Sequence, residues 1–292
     1  MKKIKIFKKR LKIGLALGGG GPKGLAHIGV IKVLEENDIP IDFIAGTSIG
    51  AMIGGFYACK KDVRQVEKIA VDFDQKIALS LLDPSFNQGF LGGRKVMNFI
   101  RRHVDDLRFD DLKVPLSVVA TNLKNGNAVA ITEGDVSTAI RASISLPLIF
   151  KPIRRDGMLL GDGGLSAPVP AEAVKNMGAD LIIAVNLNAD YFSNSDDGDG
   201  KFGFYKITEN SSKILFQNLA FQNARNADIV INPHVGKTRW SNLLKGEDII
   251  LVGENATREI IPQLKKMIEQ RSGKSLMKSF MIFVKKIFNK AV

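Results

Sequence analysis

The sequence has one cysteine, three histidines, one tryptophan and no apolar run of transmembrane length. A lone cysteine, Cys59, cannot close an internal disulfide, and a chain of 292 residues buries enough core to need no covalent staple. The roughly 18–20 consecutive apolar residues of a spanning helix are missing. The N-terminus MKKIKIFKKRLKIGLALGGGG is basic, but glycines break its apolar stretch and no small-x-small cleavage site follows, so it does not read as a signal peptide. The expectation is a cytoplasmic protein. At 45% hydrophobic and 25% charged residues, the composition excludes whole-chain disorder, collagen and a disulfide scaffold.

Charge is present in excess and unevenly placed. The formal net charge is +12, yet residues 1–12 carry seven basic side chains and no acid, and residues 265–292 carry eight against Glu269. Each end thus contributes +7, and the body between them is left at about −2. A nucleic-acid-binding domain concentrates its positive charge on the folded body, so nucleic acid is not expected as a partner. Basic tails on a near-neutral body suit an anionic membrane surface instead. In residues 273–292, Leu276, Phe280, Phe283, Val284 and Ile287 recur at helical spacing among Lys274, Lys278, Lys285 and Lys290. Such a segment can lie in the headgroup region, dock on the body through its apolar stripe, or remain solvated.

Strand and helix patterns alternate along the body, which is α/β wiring. Strands are expected at 12–17, 42–46, 116–123, 127–134, 180–187 and 227–233, with a further hairpin over 154–164. Helices are expected at 25–37, 49–60, 62–72, 94–103, 135–143, 171–178, 204–223 and 247–270. Asn125 and Gly126 mark a hairpin between the third and fourth strands. Residues 188–203 are polar and glycine-rich and read as a long loop. Its acidic stretch Asp196–Gly200 fails as a calcium loop, because Lys206 stands where the bidentate Glu belongs. One domain over 13–271 is favoured, flanked by tails 1–12 and 272–292.

Three motifs carry chemistry. Gly18–Gly24 (GGGGPKG) lies between the first strand and the first helix, where exposed backbone N–H groups hold an anion, whether a phosphate or an oxyanion. Residues 19–24 also fit G-x-G-x-x-G, with Asp42 near the distance of a ribose-binding acid. A plain structural turn remains open for this run, while a Walker loop is excluded because Lys23 precedes Gly24. Gly46-Thr47-Ser48-Ile49-Gly50 sits where a buried strand becomes a helix, the setting of a nucleophile elbow, although Ser48 could also be a simple N-cap. Asp162-Gly163-Gly164 by itself is turn chemistry, but a serine nucleophile needs a base. Among the histidines, His27 reads as a packing or loop-supporting residue and His103 as solvated. His234 follows Ser48 and Asp162 in the chain order of a hydrolase triad.

Together, GGGGPKG, GTSIG and DGG resemble the patatin-like phospholipase family, with the small bacterial members related to neuropathy target esterase as the best likeness. RASISLPLIFKPI (141–153) adds to the likeness, which runs from about residue 13 to 262. The resemblance implies a mixed, mostly parallel central sheet flanked by helices on both faces, in three layers. It implies a lipid or phospholipid substrate, a Ser48 nucleophile with Asp162 as its base, and no histidine, metal or cofactor. The oxyanion hole would come from Gly19, Gly20, Gly21 and Gly24, with Gly46 and Gly50 shaping the elbow and Gly163 and Gly164 following the aspartate. A nucleotide- or phosphate-binding module built on residues 18–24 is the alternative.

Overall fold

In a computed structural model the described residues are 10–71, 84–85, 90–91, 93–147, 149–189, 203–236 and 246–272. Residues 1–9 and 273–292 of the basic tails, the stretch 190–202 and Trp240 therefore fall outside the description. The chain order begins β1 (Ile13–Leu17), α1 (Ala26–Glu36), β2 (Phe43–Thr47), α2 (Ile49–Lys60) and α3 (Val63–Val71). A small antiparallel ribbon, β3 (Pro84–Ser85) with β4 (Phe90–Leu91), precedes α4 (Arg94–Val104) and is not among the expected strands. Then come β5 (Leu116–Asn122), β6 (Ala128–Ile131), α5 (Val136–Ser143), β7 (Ile153–Arg155) and β8 (Met158–Asp162). The order closes with α6 (Ala171–Asn176), β9 (Leu181–Val185), α7 (Phe204–Ala224), β10 (Ile229–Ile231) and α8 (Gly246–Arg271).

The main sheet runs β10-β9-β1-β2-β5-β8-β7, with β6 also paired to β5. Its first five strands are parallel, and the pairs β5–β6, β5–β8 and β7–β8 are antiparallel. Side chains alternate across this sheet, as a pleat requires. Ile13, Leu15, Leu17, Leu181, Ile183 and Val185 join the larger core with α1, α2, α5 and α8. Ala16, Ala45, Ile182 and Ala184 face the other way, onto Ala171 and Val174 of α6 and Ala220 and Ala224 of α7. Alanines predominate on that second face, so α6 packs close to the strands. The result is the expected three-layer, mostly parallel arrangement.

The register of three neighbouring strands positions the site. Thr47 of β2 lies level with Val119 of β5, and Ala120 of β5 lies level with Asp162 at the end of β8. The residue after Thr47 and the last residue of β8 thus meet across Val119 and Ala120, midway along β5. In α/β folds the carboxyl ends of parallel strands are where loops build ligand sites.

Candidate active site

Ser48 stands between β2 and α2 with φ 53° and ψ −123°. A positive φ is unfavourable for a non-glycine residue and costs about 1–3 kcal/mol, so the surroundings must hold it. Its N–H donates to Ser143 Oγ at 2.8 Å, and Ser143 Oγ donates to Val119 O at 2.6 Å. The turn is possible because its flanks lack side chains. A Cβ on Gly50 would lie 2.2 Å from Leu17 O, and one on Gly46 would lie 2.5 Å from Ala51 Cα.

Ser48 Oγ donates to Asp162 Oδ2 at 2.7 Å. The other carboxylate oxygen, Oδ1, accepts the Gly164 N–H at 2.7 Å, and the Asp162 N–H donates to Ser145 O at 3.0 Å. Thr121 Oγ1 donates to Asp162 O at 2.8 Å. A Cβ on Gly163 would lie 2.1 Å from Val119 O, which is why the turn after the aspartate can fold tightly over β5. Asp162 is only 3% exposed. Burial pushes its carboxyl up to about 6, against the downward pull of the Ser48 hydroxyl and the Gly164 N–H. A carboxylate of raised basicity hydrogen-bonded to a hydroxyl is poised to take its proton.

The glycine run enters from the end of β1. Gly18 N–H donates to Val185 O and Gly19 N–H to Pro168 O at 2.9 Å. Gly19 therefore has no free N–H for an oxyanion, contrary to expectation. Gly24 lies inside the short 3₁₀ turn Gly21–Leu25, where i→i+3 bonding engages its N–H. Its hydrogen in place of a side chain serves packing, since a Cβ there would lie 2.2 Å from Ile49 Cγ1. Gly20 and Gly21 sit at the start of that turn, ahead of the first donor the 3₁₀ pattern can use, and among the described residues no acceptor takes their N–H groups.

The histidines do not enter the dyad. His234 is exposed beyond β10 and is not among the hydrogen-bond partners of Asp162 or Ser48. His103 is half-buried rather than solvated, its ring 4.5 Å from that of Phe99 and 5.5 Å from that of Phe56. His27 is fully buried and reaches back to the glycine run, with Nε2 2.7 Å from Gly18 O. Asp42 lies at the opposite end of β2 from the glycine run, where it accepts the Ile13 N–H and pairs with Arg10. It is a brace for β1 and not a ribose ligand. Cys59 is buried at the end of α2, as expected of a packing residue.

Sequence reading assigned no role to Ser143, Ser145 or Asn188. The first two lie in RASISLPLIFKPI, where nothing in local composition marks a side chain that braces a turn 95 residues away. Asn188 lies at the start of the stretch read as a loop and donates through Nδ2 to Gly19 O at 3.1 Å.

A cavity of about 550 Å³ lies elsewhere, between α1, α3 and α8, and contains none of these residues. Its Lys32 is already paired with Glu67 and Glu254. Among the described residues no helix is long and apolar enough to cross a membrane.

Comparison with known proteins places this geometry in context. The model of a family described as patatin-like phospholipase matches residues 15–175. An uncharacterized NTE family protein of Mycobacterium tuberculosis is 40% identical over 178 residues, which cover 61% of this chain and 49% of that protein. Lysophospholipase NTE1 of Yarrowia lipolytica is 36% identical over 61% of this chain and 13% of its own length. Neuropathy target esterase sws of Drosophila melanogaster is 33% identical over 66% of this chain and 14% of its own. The chain thus spans about half the length of the mycobacterial relative and a small part of the larger proteins. VipD of Legionella pneumophila shares the fold, with a TM-score of 0.59 at 14% identity over 87% of this chain and 67% of that one.

Proposed function

The chain belongs to the patatin-like phospholipase family, and from that premise we propose that it is a lipid acyl hydrolase working through Ser48 and Asp162. The observation that carries the reading is the 2.7 Å hydrogen bond between a strained, elbow-borne serine and a buried carboxylate pushed up to about 6. The larger relatives named lysophospholipase and esterase suggest a fatty-acyl ester of a phospholipid or lysophospholipid as substrate.

The geometry supports the following reaction. As Ser48 Oγ attacks the ester carbonyl, its proton passes to Asp162 Oδ2, and the carbonyl oxygen gains negative charge. The unengaged N–H groups of Gly20 and Gly21, beside the N-terminus of α2, stabilise that charge. Collapse of the intermediate returns the proton from Asp162 to the leaving alcohol and leaves Ser48 acylated. Water, activated by the same carboxylate, then releases the fatty acid. The remaining N–H groups of the glycine run are occupied by backbone acceptors, which narrows the case for a dinucleotide loop.

The basic tails, whose residues 1–9 and 273–292 lie outside the description, would bring this enzyme to its substrate by attraction to anionic headgroups, each lysine near the surface contributing about 1 kcal/mol. The test of the central reading is fatty-acid release from lysophosphatidylcholine, followed by mass spectrometry. Wild type should release acid and Ser48→Ala should not. Equal release by both would overturn it.

A further inference from the structure

A run of glycines is a poor place to keep a fixed pair of donors. Glycine accepts both signs of φ, so peptide planes in such a run can flip at small cost and exchange an inward N–H for an inward carbonyl. The run here is held on its outer side. The trans peptide joining Gly18 to Gly19 is engaged at both ends, its carbonyl by His27 Nε2 at 2.7 Å and its N–H by Pro168 O at 2.9 Å. The next peptide has its carbonyl, Gly19 O, engaged by Asn188 Nδ2 at 3.1 Å. In a trans peptide the C=O and N–H point in opposite directions. Fixing Gly19 O toward Asn188 therefore aims the Gly20 N–H away from it.

Both side chains are built for this task. His27 is fully buried and Asn188 is 4% exposed. An acceptor carbonyl requires a donor opposite it, which puts the His27 proton on Nε2 and the Asn188 nitrogen toward Gly19. The other ring nitrogen of His27, Nδ1, is buried without a partner, so the imidazole is neutral. Burial agrees, holding its pKa down to about 4. Asn188 is itself anchored, because its N–H donates to Asn186 Oδ1 at 3.0 Å and Asn186 N–H to Ile231 O. The anchoring chain thus runs from β10 through the end of β9 to the glycine run.

We propose that His27 and Asn188 are positioning residues that clamp the carbonyls of Gly18 and Gly19 and keep the Gly20 N–H turned toward the carbonyl oxygen of the substrate. Neither touches the reacting atoms. The inference rests on the proposed Ser48 hydrolase reading. A clamp of this kind acts on the charged intermediate and not on substrate binding, so its loss lowers kcat and leaves KM nearly unchanged.

The test measures kcat and KM on a soluble short-chain p-nitrophenyl ester for full-length Ser48→Ala, His27→Leu, His27→Gln and Asn188→Leu, with folding checked by circular dichroism. Glutamine carries an amide N–H at about the reach of Nε2. The expected result is a fall in kcat of about a hundredfold for His27→Leu and Asn188→Leu, a KM within about twofold of wild type, and recovery of most activity in His27→Gln. Unchanged kcat in folded leucine variants, with Ser48→Ala inactive, would overturn the clamp and leave the hydrolase reading intact. Equal losses in His27→Gln and His27→Leu would also overturn it, because packing volume and not the donor would then matter. Should the leucine variants fail to fold, His27→Ala and Asn188→Ala carry the same expectation, and unfolding of these too would make both residues structural. Persistent hydrolysis by Ser48→Ala would remove the clamp and the hydrolase reading together.

Discussion

Replacing Asp162 by asparagine should abolish hydrolysis and make the protein more stable. Asp162 is almost wholly buried, and its carboxyl is pushed up to about 6 from an ordinary 3.8. Above pH 6 both the folded and unfolded chains carry it ionised, and the fold then bears the full cost of the buried charge. That cost is about 3 kcal/mol at 1.36 kcal/mol for each unit between the two values. As pH falls the folded chain takes up the proton first, so stability returns through pH 6 and is fully restored below 3.8. Asparagine keeps an oxygen for the Gly164 N–H and removes the charge. At pH 8 its melting temperature should exceed that of wild type by about 5–10 °C, and the gap should close as pH falls toward 4. Differential scanning calorimetry of both proteins across pH 4–8 measures this. A variant no more stable than wild type at pH 8, or a gap that does not narrow on acidification, would refute the argument that this carboxylate is held at a cost.

The same protonation governs activity: kcat/KM should fall about tenfold per pH unit below pH 6 as the base is lost, and His234→Ala should leave the profile unchanged because that side chain lies away from the dyad. Gly50→Ala should destabilise the fold by about 3 kcal/mol or more in chemical denaturation, since its Cβ would meet the Leu17 carbonyl, which is backbone and cannot yield. Ser143→Ala removes the acceptor of the Ser48 N–H; it should lower kcat about tenfold or more with a smaller change in KM, read on the same soluble ester.

How much of this was legible in the chain differs between local and long-range features. The span of α2 matches its expected bounds, 49–60, because the glycines of GTSIG and the apolar helix pattern announce the elbow directly. The uniformly apolar runs of β1 and β9 and the alternation of strand and helix patterns are also local signals. Which N–H groups of the glycine run stay unengaged was only half legible. Composition shows four glycines, but nothing near them shows that Pro168, 149 positions later, takes the Gly19 N–H, or that the 3₁₀ turn absorbs that of Gly24. Asn188 lay hidden for the same reason, its partner being 169 residues away. His103 looked solvated among charged neighbours, yet the helix turns its ring onto Phe99 and Phe56. Sequence neighbours describe a helix's circumference, whereas burial depends on which side of it meets the core.

The most direct test of the central claim is to react the wild-type protein with a fluorophosphonate probe and locate the adduct by peptide mass spectrometry, alongside Ser48→Ala and Asp162→Asn. The probe reports an activated serine beside oxyanion donors, because its phosphoryl oxygen needs the same stabilisation as the tetrahedral intermediate. The account predicts one adduct, on Ser48, much slower in Asp162→Asn and absent in Ser48→Ala. Labelling of another residue, or equal labelling of Ser48→Ala, would contradict it.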